Sequence, residues 1–365
     1  MLLIDAHFAS APPRRDETTH AALTKLHGVV PLPPVSIMLQ DPTNRELIAH
    51  AATVEPQVVD WLLDADPSIR WQVMRDVIRA QDATIAAERA RVAVDGWGAR
   101  LLASQGADGG WGDGITRPKW ETTLYTWQLL RLMGLDPLSG AAQRATQRSR
   151  EGFSWGAEFG DASFFAGETE PCINGVVLAI GAYFGEANAA LLDRLLSEQL
   201  DDGGWNCNAP QSQRSSFHTT ICVLEGLLEH EQTCGPSAPV TAARLRAHDY
   251  LLNRRMLRRL ATGDIVDQAW TRFAFPTNWH YDVLRGLDYL RSAGVTPDDR
   301  ADEAVALVAH SRRADGQWVL QHPRPEPPRR WNYPLDFQME PGDGDESRWI
   351  TLRALRVLRW YSVHR

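Results

Sequence analysis

Two stretches carry side chains of the types that hold a soft metal ion. The first is Glu170-Pro-Cys172 and the second is Phe217-His218-Thr219-Thr220. Zinc takes Cys sulfur, His nitrogen and carboxylate oxygen, and a catalytic site leaves one position open beside three protein ligands. Glu170, Cys172 and His218 fit that description, and Cys207, 11 residues before His218, is a possible fourth ligand that would close the site. Such a metal lowers the pKa of a bound thiol or water, so a nucleophile exists at neutral pH. The plain alternative is a buried thiol at Cys172 and a helix-capping residue at His218.

Both stretches sit at expected helix starts. Counting back 13 residues from the helix-ending glycines Gly134 and Gly185 lands on Glu121 and Cys172. Trp120-Glu-Thr-Thr-Leu matches Phe217-His-Thr-Thr-Ile position by position, so Glu121, Cys172 and His218 are expected at equivalent first-turn positions. At the same height Glu121 is either a general base or a partner behind the metal ligands; a first-turn acid steadying a helix N-terminus is the alternative. His280 and Asp282 are a second acid–base option.

The elements that position these residues repeat. A Gly-Trp loop recurs as Asp108-Gly-Gly-Trp111, Phe153-Ser-Trp155-Gly, Asp202-Gly-Gly-Trp205, Asp267-Gln-Ala-Trp270 and Asp315-Gly-Gln-Trp318, with gaps of 44, 50, 65 and 48 residues between the tryptophans. A period of this size means stacked supersecondary units. Each unit reads as an outer helix, a Gly-Trp loop and an inner helix, with inner helices expected at 120–134, 171–185, 217–231, 278–293 and 348–362 and outer helices near 85–104, 188–200, 240–260 and 298–312. Pro56 and Asp66-Pro67 open two earlier helices. No stretch keeps period-2 alternation, so almost no sheet is expected. The fold class is all-α, an (α/α) barrel or toroid of helical hairpins. Residues 1–43, punctuated by proline, read as a loose arm, with Met38 as an alternative natural start. Residues 44–365 read as one domain, with a helical lead-in at 44–84 and repeats over 85–362.

Net charge is −8 with no basic run, which argues against nucleic acid as a partner. No apolar stretch reaches the ~20 residues of a membrane span, and no leader is visible, so a cytoplasmic location is expected. The 14 tryptophans lie mostly beside the repeats.

The Gln-Gly-Gly-Trp repeats, Gln105 through Gly109-Gly110-Trp111 and Gln199 through Gly203-Gly204-Trp205, resemble those of squalene and oxidosqualene cyclases and of protein prenyltransferase β subunits. The resemblance covers roughly residues 50–362. It implies a toroid whose inner helices surround an apolar cavity, and a hydrophobic or isoprenoid-like substrate. The Asp-x-Asp-Asp acid motif of the protonating cyclases is not in the chain. The zinc pattern is closest to prenyltransferase β subunits, which implies a zinc-dependent transferase with Glu170, Cys172 and His218 as ligands. Glu170 stands where those subunits carry Asp, and the acidic, aromatic stretch 161–170 stands where they carry basic residues. The alternative is a metal-independent cyclase-like enzyme or an isoprenoid-binding protein. Trp120, Trp155, Phe165, Trp279 and Tyr281 are candidates to line the cavity by cation–π contact, and Arg214 to meet an anionic group. Phe164, Trp331 and Tyr333 belong to the same aromatic set. A partner chain is also possible, since prenyltransferases pair two subunits.

Overall fold

The Gly-Trp loops build the same joint three times. The main-chain N–H groups of Trp111, Trp205 and Trp318 donate to the hydroxyls of Thr123 (2.9 Å), Thr220 (3.1 Å) and Thr351 (3.0 Å), each in the first turns of an inner helix. The indole N–H of each donates to a carbonyl 10 residues earlier, on Leu101, Leu195 or Val308, at 2.7–2.8 Å. Each indole is buried with its one polar atom satisfied, so it stitches an outer helix to an inner one without a desolvation penalty. The carboxamides of Gln105 and Gln199 donate in parallel to Gly109 O and Gly203 O. Trp155 and Trp270 do not share this joint. Trp155 donates to Phe164 O, and Trp270 lies in the 3-10 turn Gln268–Thr271.

The computed structural model describes residues 44–115, 117–321, 339 and 342–365. The expected arm at 1–43, Trp331, Tyr333 and most of the 315–347 loop lie outside the described residues. The helices are α1 Asn44–Ala51, α2 Pro56–Leu63, α3 Pro67–Asp76, α4 Asp82–Ala90, α5 Gly96–Ala103, α6 Lys119–Leu132 and α7 Gly140–Gly152. They continue as α8 Pro171–Tyr183, α9 Ala189–Ser197, α10 Phe217–Cys234, α11 Ala238–Asn253, α12 Val283–Ser292, α13 Asp302–His310 and α14 Arg348–His364. Among the described residues there is no strand, only isolated bridges such as Ser154 with Ser163.

Six inner helices close a ring in the order α3, α6, α8, α10, α12, α14 and back to α3. Polar bonds mark several seams. Trp71 Nε1 donates to Met133 O at 2.8 Å, Arg285 pairs with Glu225 at 2.7 Å, and Arg353 reaches Asp288 at 3.4 Å. The ring shuts where Arg356 donates to Gln72 Oε1 at 2.8 Å and Arg359 to Val77 O at 2.9 Å. The remaining helices lie outside, and α1 packs on α13 and α14 across the closure.

Local rules account for most helix starts. Pro56, Pro67 and Pro171 occupy the first turn, where a missing N–H costs nothing. Asp66, Ser139, Ser216 and Ser347 accept from the N–H two or three residues on. Two expectations need correction, and one helix was not expected at all. The outer helix expected at 85–104 is two helices, because Gly96 at φ +67° packs against Asp66, whose carboxylate receives Trp97 N–H at 2.7 Å. The inner helix expected from 278 begins at Val283, capped by Asp282, which accepts from Arg285 N–H at 2.7 Å. Helix α7 had no apolar stripe to announce it, since it buries only Ala142, Ala145, Thr146 and Ser149.

The residues ahead of α12, 273–281, run as a strap into the ring. Phe275 stacks on Trp349 at 4.3 Å between centroids. Asn278 O accepts from Gln128 at 3.3 Å and from Arg285 at 3.0 Å, tying the strap to two inner helices. Among the described residues, the strap borders two cavities. One cavity near the helix N-termini includes Trp279, and a second, polar one includes Phe275 and Thr277.

Outside the ring, His248 on α11 is buried, with Nε2 2.9 Å from the Tyr289 hydroxyl on α12. Burial, reinforced by the Arg244 charge, pushes its imidazole from 6.5 down to about 4. The folded chain keeps His248 neutral at pH values where the unfolded chain takes up a proton. Stability contributed here is complete above 6.5 and falls as pH drops toward 4, by roughly 3 kcal/mol. Denaturant unfolding of the wild type and of His248→Gln at pH 7 and pH 4.5 checks this; the variant is expected to lose less stability between the two pH values.

Candidate functional site

The closest packing in the ring is between α8 and α10. Gly175 and Gly226 allow it. A Cβ on Gly175 would lie 2.5 Å from Cys222 O, and one on Gly226 would lie 2.4 Å from Gly175 O. Mid-helix glycine costs roughly 1 kcal/mol against alanine, so its presence in both helices fits a need for close backbone approach. One turn before Gly175 is Cys172, and near the start of α10 is His218. The glycine contact thus sets the distance between the two helix mouths.

The loop before α8 is clamped separately. Asn174, fully buried, accepts Glu168 N–H at 2.8 Å and donates to Glu168 O at 3.0 Å. The Glu168 carboxylate accepts from Glu170 N–H at 2.6 Å. Arg194 on α9 donates to Thr169 O at 2.6 Å. Burial pushes the Glu168 carboxyl above its usual range, against the pull of these hydrogen bonds. Glu168 and Asn174 are positioning residues that sequence reasoning missed. The buried Asn one turn after a helix-opening Pro was the available signal.

The loop after α9 supplies Cys207. Asn206 donates to Ser212 Oγ at 3.1 Å and to Arg214 O at 2.6 Å, closing a small loop. Cys207 N–H reaches Thr219 Oγ1 at 3.4 Å, so α10 holds the loop directly. Cys207 Sγ lies 2.9 Å from Cys172 Sγ, and Cys172 Sγ lies 3.6 Å from Glu170 Oε2. One ligand atom from each of Glu170, Cys172 and Cys207 falls within 4.8 Å of the other two. The hydrogen bond with Cys207, then burial, holds the Cys172 thiol well above its ordinary range, and the Glu170 charge adds to this. A cation beside such a cluster would favour the ionised form of the buried Cys172 thiol.

His218 lies in the same pocket, but its Nδ1 accepts the Tyr281 main-chain N–H at 2.8 Å. A neutral imidazole with Nδ1 as acceptor carries its proton on Nε2. A ligating His instead donates its other N–H to a partner. In this arrangement, then, the donor set is Glu170, Cys172 and Cys207, with His218 as a neighbour. The pocket, about 270 Å3, has apolar walls in Ile173 and Trp279 and polar ones in Asn206, Asn208, Ser212, Ser216 and Thr219.

The other expected residues are placed elsewhere. Glu121 pairs with Arg117 at 2.9 Å and does not line the pocket, because α6 packs on α8 far less closely than α10 does. His280 stacks on Trp279 with its ring 5.9 Å from that of His218. Asp282 is a buried cap of α12 whose carboxyl is raised by burial. Trp120, Trp155 and Phe165 belong to an aromatic cluster with Phe159 and Phe164, where Trp155 stacks on Phe164 at 5.5 Å. Tyr281 is buried and donates to Met256 O at 2.6 Å. Arg214 is exposed and outside the pocket lining. Of the aromatic candidates named here, Trp279 lines the pocket.

No family model and no curated protein sequence matches the chain. Among solved structures, it is similar to the type II terpene cyclase MstE from Scytonema. An apo variant of MstE gives a TM-score of 0.45 at 16% identity, with 88% of this chain and 99% of that chain covered. Apo MstE gives 0.42 at 16%, with 91% and 100% covered. A variant in complex with geranylgeranyl dihydroxybenzoate also gives 0.42 at 16%, with 88% and 99% covered. These neighbours are cyclases rather than prenyltransferases, and at this identity the likeness concerns helical architecture alone. No helix among the described residues is long and apolar enough to cross a membrane.

The glycine contact can be tested directly. Alanine at Gly175 meets backbone, which cannot yield cheaply, so Gly175→Ala is expected to destabilise the chain by about 1–3 kcal/mol, although alanine normally favours a helix. Urea unfolding measures it. Unchanged or increased stability would mean that α8 and α10 are not packed in this way.

Proposed function

We propose that the ring is a terpenoid cyclase-like scaffold that takes one end of a hydrophobic, isoprenoid-type molecule into the pocket at the mouths of α8 and α10. Within it, Glu170, Cys172 and Cys207 hold a zinc ion. The observation that carries the reading is the convergence of a carboxylate and two thiols within 4.8 Å, in a pocket with Ile173 and Trp279 on its walls. A carboxylate–thiolate set with three protein donors suits zinc with an open position. Zinc bound there would supply Lewis acidity and stabilise a thiolate or hydroxide at neutral pH.

The chain's own residues have distinct parts in this reading. Glu168 and Asn174 hold the Glu170 main chain, and so direct the carboxylate. Thr219 fixes Cys207 from α10. The Tyr281 N–H sets the tautomer of His218, leaving the proton on Nε2. Trp279 offers an aromatic wall for an apolar chain.

A second reading, a metal-independent cyclase-like or isoprenoid-binding protein, is favoured by one observation. His218, one of the three donors expected from the sequence, is engaged through Nδ1 by the strap. In that case the missing Asp-x-Asp-Asp acid makes binding a better description than cyclisation.

Metal analysis of untagged protein separates the readings. About one zinc per chain is expected, lost in Cys172→Ala and in Cys207→Ala but retained in His218→Gln. Absence of zinc even after the metal is supplied would sink the metal centre and leave the second reading. In either case a prenyl alcohol such as farnesol is expected to bind, with Trp279→Ala weakening it roughly tenfold, the loss of one aromatic contact. Titration of tryptophan fluorescence reads this, and no saturable binding would remove the isoprenoid ligand.

A further inference from the structure

The second cavity in the ring is built from charge. It holds about 200 Å3 and is lined from five of the six inner helices, α8 being the exception. Its walls include four arginines, Arg131, Arg285, Arg353 and Arg356, against three carboxylates, Glu225, Glu229 and Asp288. The count leaves one positive charge in excess. Beyond the wall, Asp76 pairs with Arg356 and Arg291 with Asp288, and the buried Asp282 carboxyl interacts with Arg353 and Arg285.

Pairing among these groups is uneven. Arg285 is fully used: its guanidinium meets both oxygens of Glu225 and donates to Asn278 O and His280 O. Arg353 is not. Its Nε reaches Asp288 at 3.4 Å, and its two terminal nitrogens have no hydrogen-bond partner among the described residues, although the residue is only 8% exposed. Arg356 is 9% exposed and its Nε is buried without a partner. Arg131 spends Nη1 on Glu229 at 2.8 Å and leaves its buried Nε unpaired as well. Burial pushes the Arg356 guanidinium down to about 10, although Asp76 pairs with it. Leaving a buried charged donor unpaired is costly, and a planar guanidinium fork suits an oxyanion. Several orphaned donors on clustered arginines and a small chamber are the features of a site for a compact anion.

We propose that this chamber binds a small molecule through a single oxyanion group, a carboxylate or a phosphate, held by Arg353 with Arg356 and Arg131. The site shares no residue with the pocket at Glu170, Cys172 and Cys207, so it stands or falls independently of any metal there. Anion binding would also brace the seams α12–α14 and α14–α3, since Arg353 and Arg356 form both.

Isothermal titration of the full chain at constant ionic strength, with inorganic phosphate and with succinate as probes, tests the proposal. Saturable binding of at least one probe is expected, and the probe that binds tells phosphate from carboxylate. Arg353→Gln should weaken it at least tenfold, and Arg131→Gln by a smaller factor. Where Arg353→Gln fails to fold, Arg353→Lys keeps the charge and removes the fork, and it should still weaken binding severalfold. The proposal is overturned if neither probe binds beyond a chloride control, or if the Arg353 and Arg131 variants bind as the wild type does.

Discussion

The contact between the backbones of α8 and α10 at Gly175 and Gly226 governs the geometry of this molecule's candidate site. Helix axes normally stand 8–10 Å apart because side chains keep them there. Removing a side chain from each helix lets them approach more closely. Cys172 is then brought against the loop that carries Cys207, and the N-terminus of α10 presents Thr219 to fix that loop. No other pair of neighbours in the ring packs so tightly, and among the three equivalent helix starts the mouth pocket forms between these two. Stability and site geometry thus rest on the same two glycines.

The interior of the ring is organised by the strap at 273–281 and by paired charges. Carbonyls of the strap satisfy Arg285, whose guanidinium otherwise sits at 2% exposure. A buried Arg–Glu pair gains little net stability unless its remaining donors are met. The strap meets them, and it also lends wall residues to two cavities, Trp279 to the mouth and Phe275 and Thr277 to the polar chamber. Tyr281, at the end of the strap, also sets the proton position on His218. One irregular segment therefore shapes both cavities.

Much of the repeat architecture could be read from the chain. The Gly-x-Trp phrase, Gly-Gly-Trp at 111 and 205 and Gly-Gln-Trp at 318, marked three joints that share one set of hydrogen bonds, and Pro171 and Ser216 marked the starts of the two helices that matter most. Cys172 and Cys207 are 35 residues apart and stand in contact. Other features were hidden for physical reasons. The end of the strap, 278–281, reads as the start of a helix because no glycine or proline follows Pro276 before Asp282. Helix α7 packs through small residues, so no apolar stripe reveals it. The arginines of α14, spaced three apart at Arg353, Arg356 and Arg359, look like a solvated face, yet ring closure turns Arg353 and Arg356 inward. Glu121 shares a register with Cys172 and His218, but register along a helix does not fix the distance between helices.

The central claim is that Cys172 and Cys207 face each other beside Glu170. Mild oxidation of chelator-treated protein, followed by peptide mapping, tests it most directly. The account predicts a single Cys172–Cys207 link, formed under conditions that leave the buried Cys222 and the exposed Cys234 unlinked to either. Failure of Cys172 and Cys207 to join, or links that scatter among all four cysteines, would contradict it.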